Sequence, residues 1–258
     1  MILPVFTLWR RELTRFFCQP SRIAGAVATP LLLWLLMGSG LSGSFRLPGG
    51  AAGTDYFGFF FPGTIVLVLL FAAIFSNISV IEDRHEGFLQ GVLVAPVSRT
   101  ALVMGKVLGG ATLAWLQGVV FLVLAPFSGG HLTVASTLAA AGVLALLAVT
   151  LTALGFFFAW KLDSVQGFHA IMNVVLLPMW VLSGAFFPLN GAPVWLSLLM
   201  RANPLTYGVS VLREVLYGPA ATAGSSLPGI GTSLAITAAL GLVCVAACLL
   251  ATRGGRVD

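Results

Sequence analysis

The 258-residue chain is 59% hydrophobic and only 8% charged, with a formal net charge of +5, whereas a soluble domain carries roughly 25% charged residues. No soluble fold hides this much apolar side chain, so most of the chain has lipid as its solvent. The Lys and Arg residues are dispersed between apolar runs, which reads as a topology signal and not as a nucleic-acid footprint.

Residues 4–18 (PVFTLWRRELTRFFC) come first. They place Val5, Trp9, Leu13, Phe16 and Phe17 on one helical face and Arg10, Arg11, Glu12 and Arg15 mostly on the other. The pattern predicts an amphipathic interfacial helix lying along the inner leaflet. The first apolar run follows this basic lead and is long enough to stay in the membrane, so a cleavable signal peptide is not expected.

A span needs about 20 mostly apolar residues. Six runs qualify: 23–41, 57–81, 102–127, a fourth within 132–160 (134–160), 168–187 and 230–251. Pro30, Pro62 and Pro178 fall inside spans, where neighbouring helices satisfy the freed carbonyls. With the N-terminus inside, the cytoplasmic side holds Arg10, Arg11, Arg15, Arg22, Arg84, Arg99, Lys106, Lys161, Arg253 and Arg256. The outside holds only Arg46, Arg201 and Arg213. This bias places both termini in the cytoplasm. Lys106, near an inner end, is expected to snorkel. Gly105-x-x-x-Gly109-Gly110 permits close helix contact, either within the chain or between two copies.

Between the second and third runs lies IEDRHEGFLQGVLVAPVSRTALVMGK, residues 81–106. Phe88, Leu89, Val92 and Leu93 form one apolar stripe of a short helix. Glu82, Asp83 and Glu86 are expected near its N-terminus, where the dipole favours acids. Pro96 ends it, and Ser98 can cap the next helix. Such a piece suits a groove on a soluble partner. Between the fifth and sixth runs, residues 188–217 contain an apolar piece too short to cross, the Asn203-Pro204 break and a second helical stretch. Two half-helices dipping into the outer leaflet fit this pattern.

The loop EDRHEGFLQGVLVAPVSRTALVMGK resembles that of ABC transporter permeases of the type-2 exporter class, in which an acid-Arg-x-Glu-Gly run precedes an apolar segment ending in Ala/Thr-Pro. NPLTYGVSVLR (203–213) and LSGAFFPL (182–189) are similar to further signatures of that family. The likeness spans nearly the whole chain. It implies an all-α membrane protein with an N-terminal connecting helix (4–18), a cytoplasmic coupling helix (82–97) and external re-entrant half-helices (188–217). It also implies two copies of a partner ATPase that carries ATP and Mg, a second permease copy (a homodimer before a heterodimer), and a bacterial inner membrane. Glu82, Arg84, Glu86, Gly87, Phe88, Leu89 and Pro96 would then couple to the ATPase, and Asn203, Pro204, Tyr207 and Arg213 would form the external gate. Gln90 departs from the pattern, since many relatives carry Glu there.

The chain has no G-x-x-x-x-G-K-[ST], H-E-x-x-H or Ser/His/Asp set, so neither nucleotide binding, a metal site nor catalysis is expected of it. His85, His131 and His169 lie far apart and read as solvated or interfacial. Cys244 and Cys248, four apart in an apolar run, read as small core residues. The runs of Phe at 57–61 and 156–158 suit a greasy or amphipathic substrate, or lipid-facing packing. An ion-coupled secondary transporter and a membrane anchor for a soluble partner are the alternatives; the first lacks an acid deep in a span.

Overall fold

A computed structural model describes residues 2–42, 55–95, 97–130, 132–222 and 227–254. Arg46, Pro96, His131 and Arg256 lie outside the described residues. The helices run α1 (Ile2–Phe17), α2 (Pro20–Leu41), α3 (Tyr56–His85), α4 (Phe88–Val94), α5 (Arg99–Leu122), α6 (Val134–Lys161), α7 (Val165–Trp180, continued by a π turn over Val181–Ala185), α8 (Val194–Ala202), α9 (Leu205–Tyr217) and α10 (Ile230–Gly254). Six of them, α2, α3, α5, α6, α7 with its π turn and α10, are long and apolar enough to cross a membrane.

α3 is the axis. Its apolar window is 89% buried, against 22% for those of α2 and α10. It is apolar all round, as a fully enclosed helix must be, and it packs on α2, α5, α6 and α7. Glycines set the close approaches. A Cβ on Gly110 would fall 2.3 Å from Ser76 Oγ of α3, and one on Gly63 would fall 2.4 Å from Ala185 Cβ at the end of α7. Polar side chains start several helices: Ser98 Oγ accepts from Ala101 N, Ser164 Oγ accepts from Gly167 N, and Thr133 and Ser136 form a capping box.

Two expectations need correction. Glu82, Asp83, Arg84 and His85 are not at the entrance of the short helix. They form the last turn of α3, which runs past residue 81 until Gly87, at φ 75°, ends it. The acids therefore sit at the end of a helix where the dipole disfavours them, and cations from elsewhere must compensate. Glu12 is likewise not on a solvent face: Leu8, Glu12 and Phe16 make the buried stripe of α1, while Phe6 and Phe17 are exposed. The period fits Phe16 and Glu12 equally well, and only the partner on α5 decides between them.

Candidate functional site

The chemistry-bearing side chains collect at two ends of the bundle. At the first, α1, α3 and α5 converge on Asp83, whose side chain is fully buried. Arg11 donates to both Asp83 oxygens at 2.8 Å, and Arg15 Nη1 donates to Oδ1 at 2.7 Å. Lys106 Nζ reaches Asp83 Oδ2 and also donates to Glu12 Oε1 at 2.6 Å and to Ser79 Oγ at 3.2 Å. Ser79 Oγ donates to the other Glu12 oxygen at 2.7 Å. Lys106 and Glu12 are only 2% and 4% exposed, so Lys106 does not snorkel; it is sealed between two carboxylates. The hydrogen bond from Arg11 to Asp83, with the surrounding acids, raises the guanidinium pKa of Arg11 further, so it is permanently a cation. Toward solvent, Arg15 also bonds Glu82 at 2.9 Å and lies 3.5 Å from Glu86.

The glycine pair of α5 serves this cluster from within the chain. A Cβ on Gly105 would fall 2.7 Å from Leu8 Cβ, and one on Gly109 would fall 2.8 Å from Glu12 Cβ. The missing side chains let α1 lie directly on α5, and Trp9 Nε1 adds a bond to Thr112 Oγ1 at 3.1 Å.

α4 hangs from this platform. Leu89 is buried, and Phe88 and Val92 pack against the core. The Phe88 ring lies 3.7 Å beneath the Arg11 guanidinium, a cation–π contact. Phe88, Leu89 and Val92 thus turn toward the protein's own spans and not outward. The exposed face of α4 is Gln90, Gly91 and Val94, with Glu86 exposed beside it. Two flanking arginines tie the same segment to other helices. Arg84 donates to Asp163 at 2.8 Å and to the carbonyls of Leu162 and Trp160 at 3.1 and 2.5 Å, at the C-terminus of α6. Arg99 donates to Thr252 O and Arg253 O at 2.5 and 3.2 Å, at the C-terminus of α10. A cation at a helix C-terminus meets the negative end of the dipole.

At the other end, α8 and α9 fold against the π turn. Asn203 Nδ2 donates to Met179 O at 2.5 Å, and Asn203 Oδ1 accepts from Leu205 N at 3.1 Å. Pro204 then opens α9 with a helical φ of −67°. Tyr207 donates to Arg201 O at 2.8 Å. Arg213 donates to Gly184 O at 2.9 Å and Phe59 O at 3.3 Å, and lies 4.2 Å over the Phe59 ring. Among the described residues no carboxylate pairs with Arg213. Gly184, at φ 74°, is what turns its carbonyl toward that guanidinium.

Of the expected residues, the structure brings Glu82, Glu86 and Phe88 together with α1 and buries Leu89 in the core. Arg84 joins them to α6, and Asn203, Tyr207 and Arg213 gather around the end of α7. Sequence reasoning missed Glu12, Asp83 and Lys106 as one unit, and Arg99 as a cap. The available signal was an acid on the buried period of α1 and a lysine between two glycines of a span, since an ionisable residue in a span almost always has a partner.

The sequence matches the family model described as "ABC-2 type transporter" over residues 4–217. It is similar to ycf38 of Porphyra purpurea, at 30% identity over 83% of this chain and 74% of that protein. It is also similar to nodulation protein J of Rhizobium meliloti (strain 1021), at 28% over 82% and 80% of the two chains. The daunorubicin resistance ABC transporter permease protein DrrB1 of Streptomyces coeruleorubidus matches at 26% over 83% and 74%. Members of this family are membrane subunits without catalytic activity of their own, and they pair with nucleotide-binding ATPase subunits. With its six apolar helices and this match over most of its length, the chain is a multi-pass membrane protein that belongs to the ABC-2 type transporter family.

Proposed function

We propose that this permease is the membrane half of an ATP-driven exporter that moves a hydrophobic or amphipathic molecule (a drug, lipid or lipid-linked glycan) out of the cytoplasm or inner leaflet. Two copies of an ATPase dock on two copies of this chain, which sit in a bacterial inner membrane with both termini in the cytoplasm. ATP and Mg are held by the partner. The observation that carries this reading is the short helix α4, seated on the charged platform with one face left open. Residues 82–97 are the coupling segment. Glu86 and the open face of Gln90, Gly91 and Val94 meet the ATPase. Glu82, Arg84, Gly87, Phe88 and Leu89 hold that face in place. Asn203, Pro204, Tyr207 and Arg213 hold the external half-helices and close the path outside. A relative named for daunorubicin resistance supports a greasy cargo. The acids within the described spans, Glu82 and Asp83, are already bonded to cations. No vacant carboxylate is therefore left in the described spans to carry a coupling proton.

The test is a pull-down of the tagged chain in mild detergent, wild type against Glu86→Lys combined with Val94→Arg. Wild type should retain an ATPase subunit, and the double variant should lose it while its spans melt at the wild-type temperature. A wild-type chain that comes down alone, under conditions preserving membrane complexes, overturns the reading.

A further inference from the structure

The buried charges under α4 form a transmission path of their own. The open face of α4 is backed by Leu89, and Phe88 lies directly beneath Arg11. A push on α4 therefore arrives at the foot of α3, on which it packs, and through Phe88 and Arg11 at α1. α1 cannot slide in response, because Gly105 and Gly109 of α5 admit its backbone so closely that Leu8 and Glu12 fill the space where their side chains would be. Lys106 then pins the contact to Glu12 and Asp83, all three side chains no more than 4% exposed. An ion pair so enclosed is not screened, and separating it leaves uncompensated charge in an apolar place. On the far side, α6 packs on α3 and α5, and Asn77 Nδ2 of α3 donates to Thr152 O of α6 at 3.1 Å. Only Cys18 and Gln19 separate α1 from α2, so whatever moves α1 also moves the foot of the first span.

We infer that Glu12, Asp83 and Lys106 are positioning residues that lock α1 to α5 and the base of α3, so that movement of α4 passes to α1, α2, α3 and α5 as one body. The inference rests on α4 being the ATPase contact and adds the part of the permease that travels with it.

The experiment uses the permease–ATPase complex in phospholipid vesicles. Glu12→Leu with Lys106→Met removes the pin by apolar groups of similar length and leaves Asp83 its bonds from Arg11 and Arg15. The expected result is an ATPase subunit still bound and a loss of the permease-dependent part of ATP turnover. Unchanged turnover overturns the lock. Loss of the bound ATPase from a folded double variant also overturns it, because the charges would then shape docking and not transmission. Failure of the wild-type chain to hold any ATPase instead defeats the coupling reading beneath it.

A second measurement leaves the lock intact and so does not depend on the variant folding. In a Cys18→Ser background, spin labels at Phe6→Cys and Val120→Cys report α1 against α5. Both sites are exposed. On ATP binding this distance should hold. A shift of it overturns the inference.

Discussion

The two ends of the bundle are held by different chemistry. At the α4 end, three buried charged groups close on one another, and two arginines complete the ring around Asp83. At the α8–α9 end, a guanidinium, an amide and the hydroxyls of Thr206 and Tyr207 hold backbone carbonyls, and among the described residues no acid answers Arg213. Opposed charges in a dry site resist separation at any displacement, because the cost of exposing each persists until water arrives. A bond from a guanidinium to a carbonyl can be exchanged for one to the next carbonyl along, or to water, at a cost of about 1.5–3 kcal/mol at most. The first end is built to stay together under load and the second to rearrange. Such a contrast suits a permease driven from one side and opened at the other.

The largest effect should come from breaking the stiff end at its centre. Asp83→Ala removes the group that accepts four bonds and leaves Arg11, Arg15 and Lys106 facing one another. Removing one partner from a buried pair costs about 3–5 kcal/mol. The variant should show a large drop in melting temperature in detergent, followed by tryptophan fluorescence or light scattering. A drop no greater than that of an exposed-site control such as Glu86→Ala would mean that the charge cluster is not what stiffens this end.

The soft end should give less. Arg213→Leu keeps apolar volume against Phe59 but leaves Gly184 O and Phe59 O without that donor, a loss of about 1–3 kcal/mol. Arg213→Lys should not restore it, since a point ammonium does not reproduce a planar fork that reaches two carbonyls and stacks on a ring. If Arg213→Leu melts as far below wild type as Asp83→Ala, the two ends are equally stiff and the contrast fails.

The spans were legible in the sequence because their signal is summed over some twenty residues, and no local detail reverses it. The Asn203-Pro204 break was legible because a proline acts through its own backbone. The charged platform was not. Lys106 near an inner end is compatible with snorkelling to water or with burial between acids. The choice depends on whether α1, some ninety residues earlier, lies on Gly105 and Gly109. Glu82 to His85 look like the start of a short helix by composition, yet nothing between Ile81 and Gly87 stops the helix already running. The direction of the α4 stripe was lost for a similar reason. Periodicity shows that Phe88, Leu89 and Val92 share a side, but it does not say whether that side meets a partner or the protein's own core.

The smallest effect tests the junction where the stiff end meets the proposed ATPase contact. Gly87 ends α3 and begins α4 at φ 75° and ψ −2°, in the left-handed region, and a Cβ there would meet nothing within 4 Å. With no clash to relieve, Gly87→Ala should cost only the conformational term, about 1 kcal/mol. Asparagine visits this region more readily than other non-glycine residues, so Gly87→Asn should fall between Ala and wild type. The cost should appear as faster hydrogen exchange at the amides of α4, with Leu89 drawn less firmly into the core, while exchange within α3 and α5 stays as in wild type. An alanine variant that exchanges like glycine would mean that the junction relaxes its dihedrals freely. α4 would then be loosely hung, and the force path through Phe88 and Arg11 would have no fixed starting point.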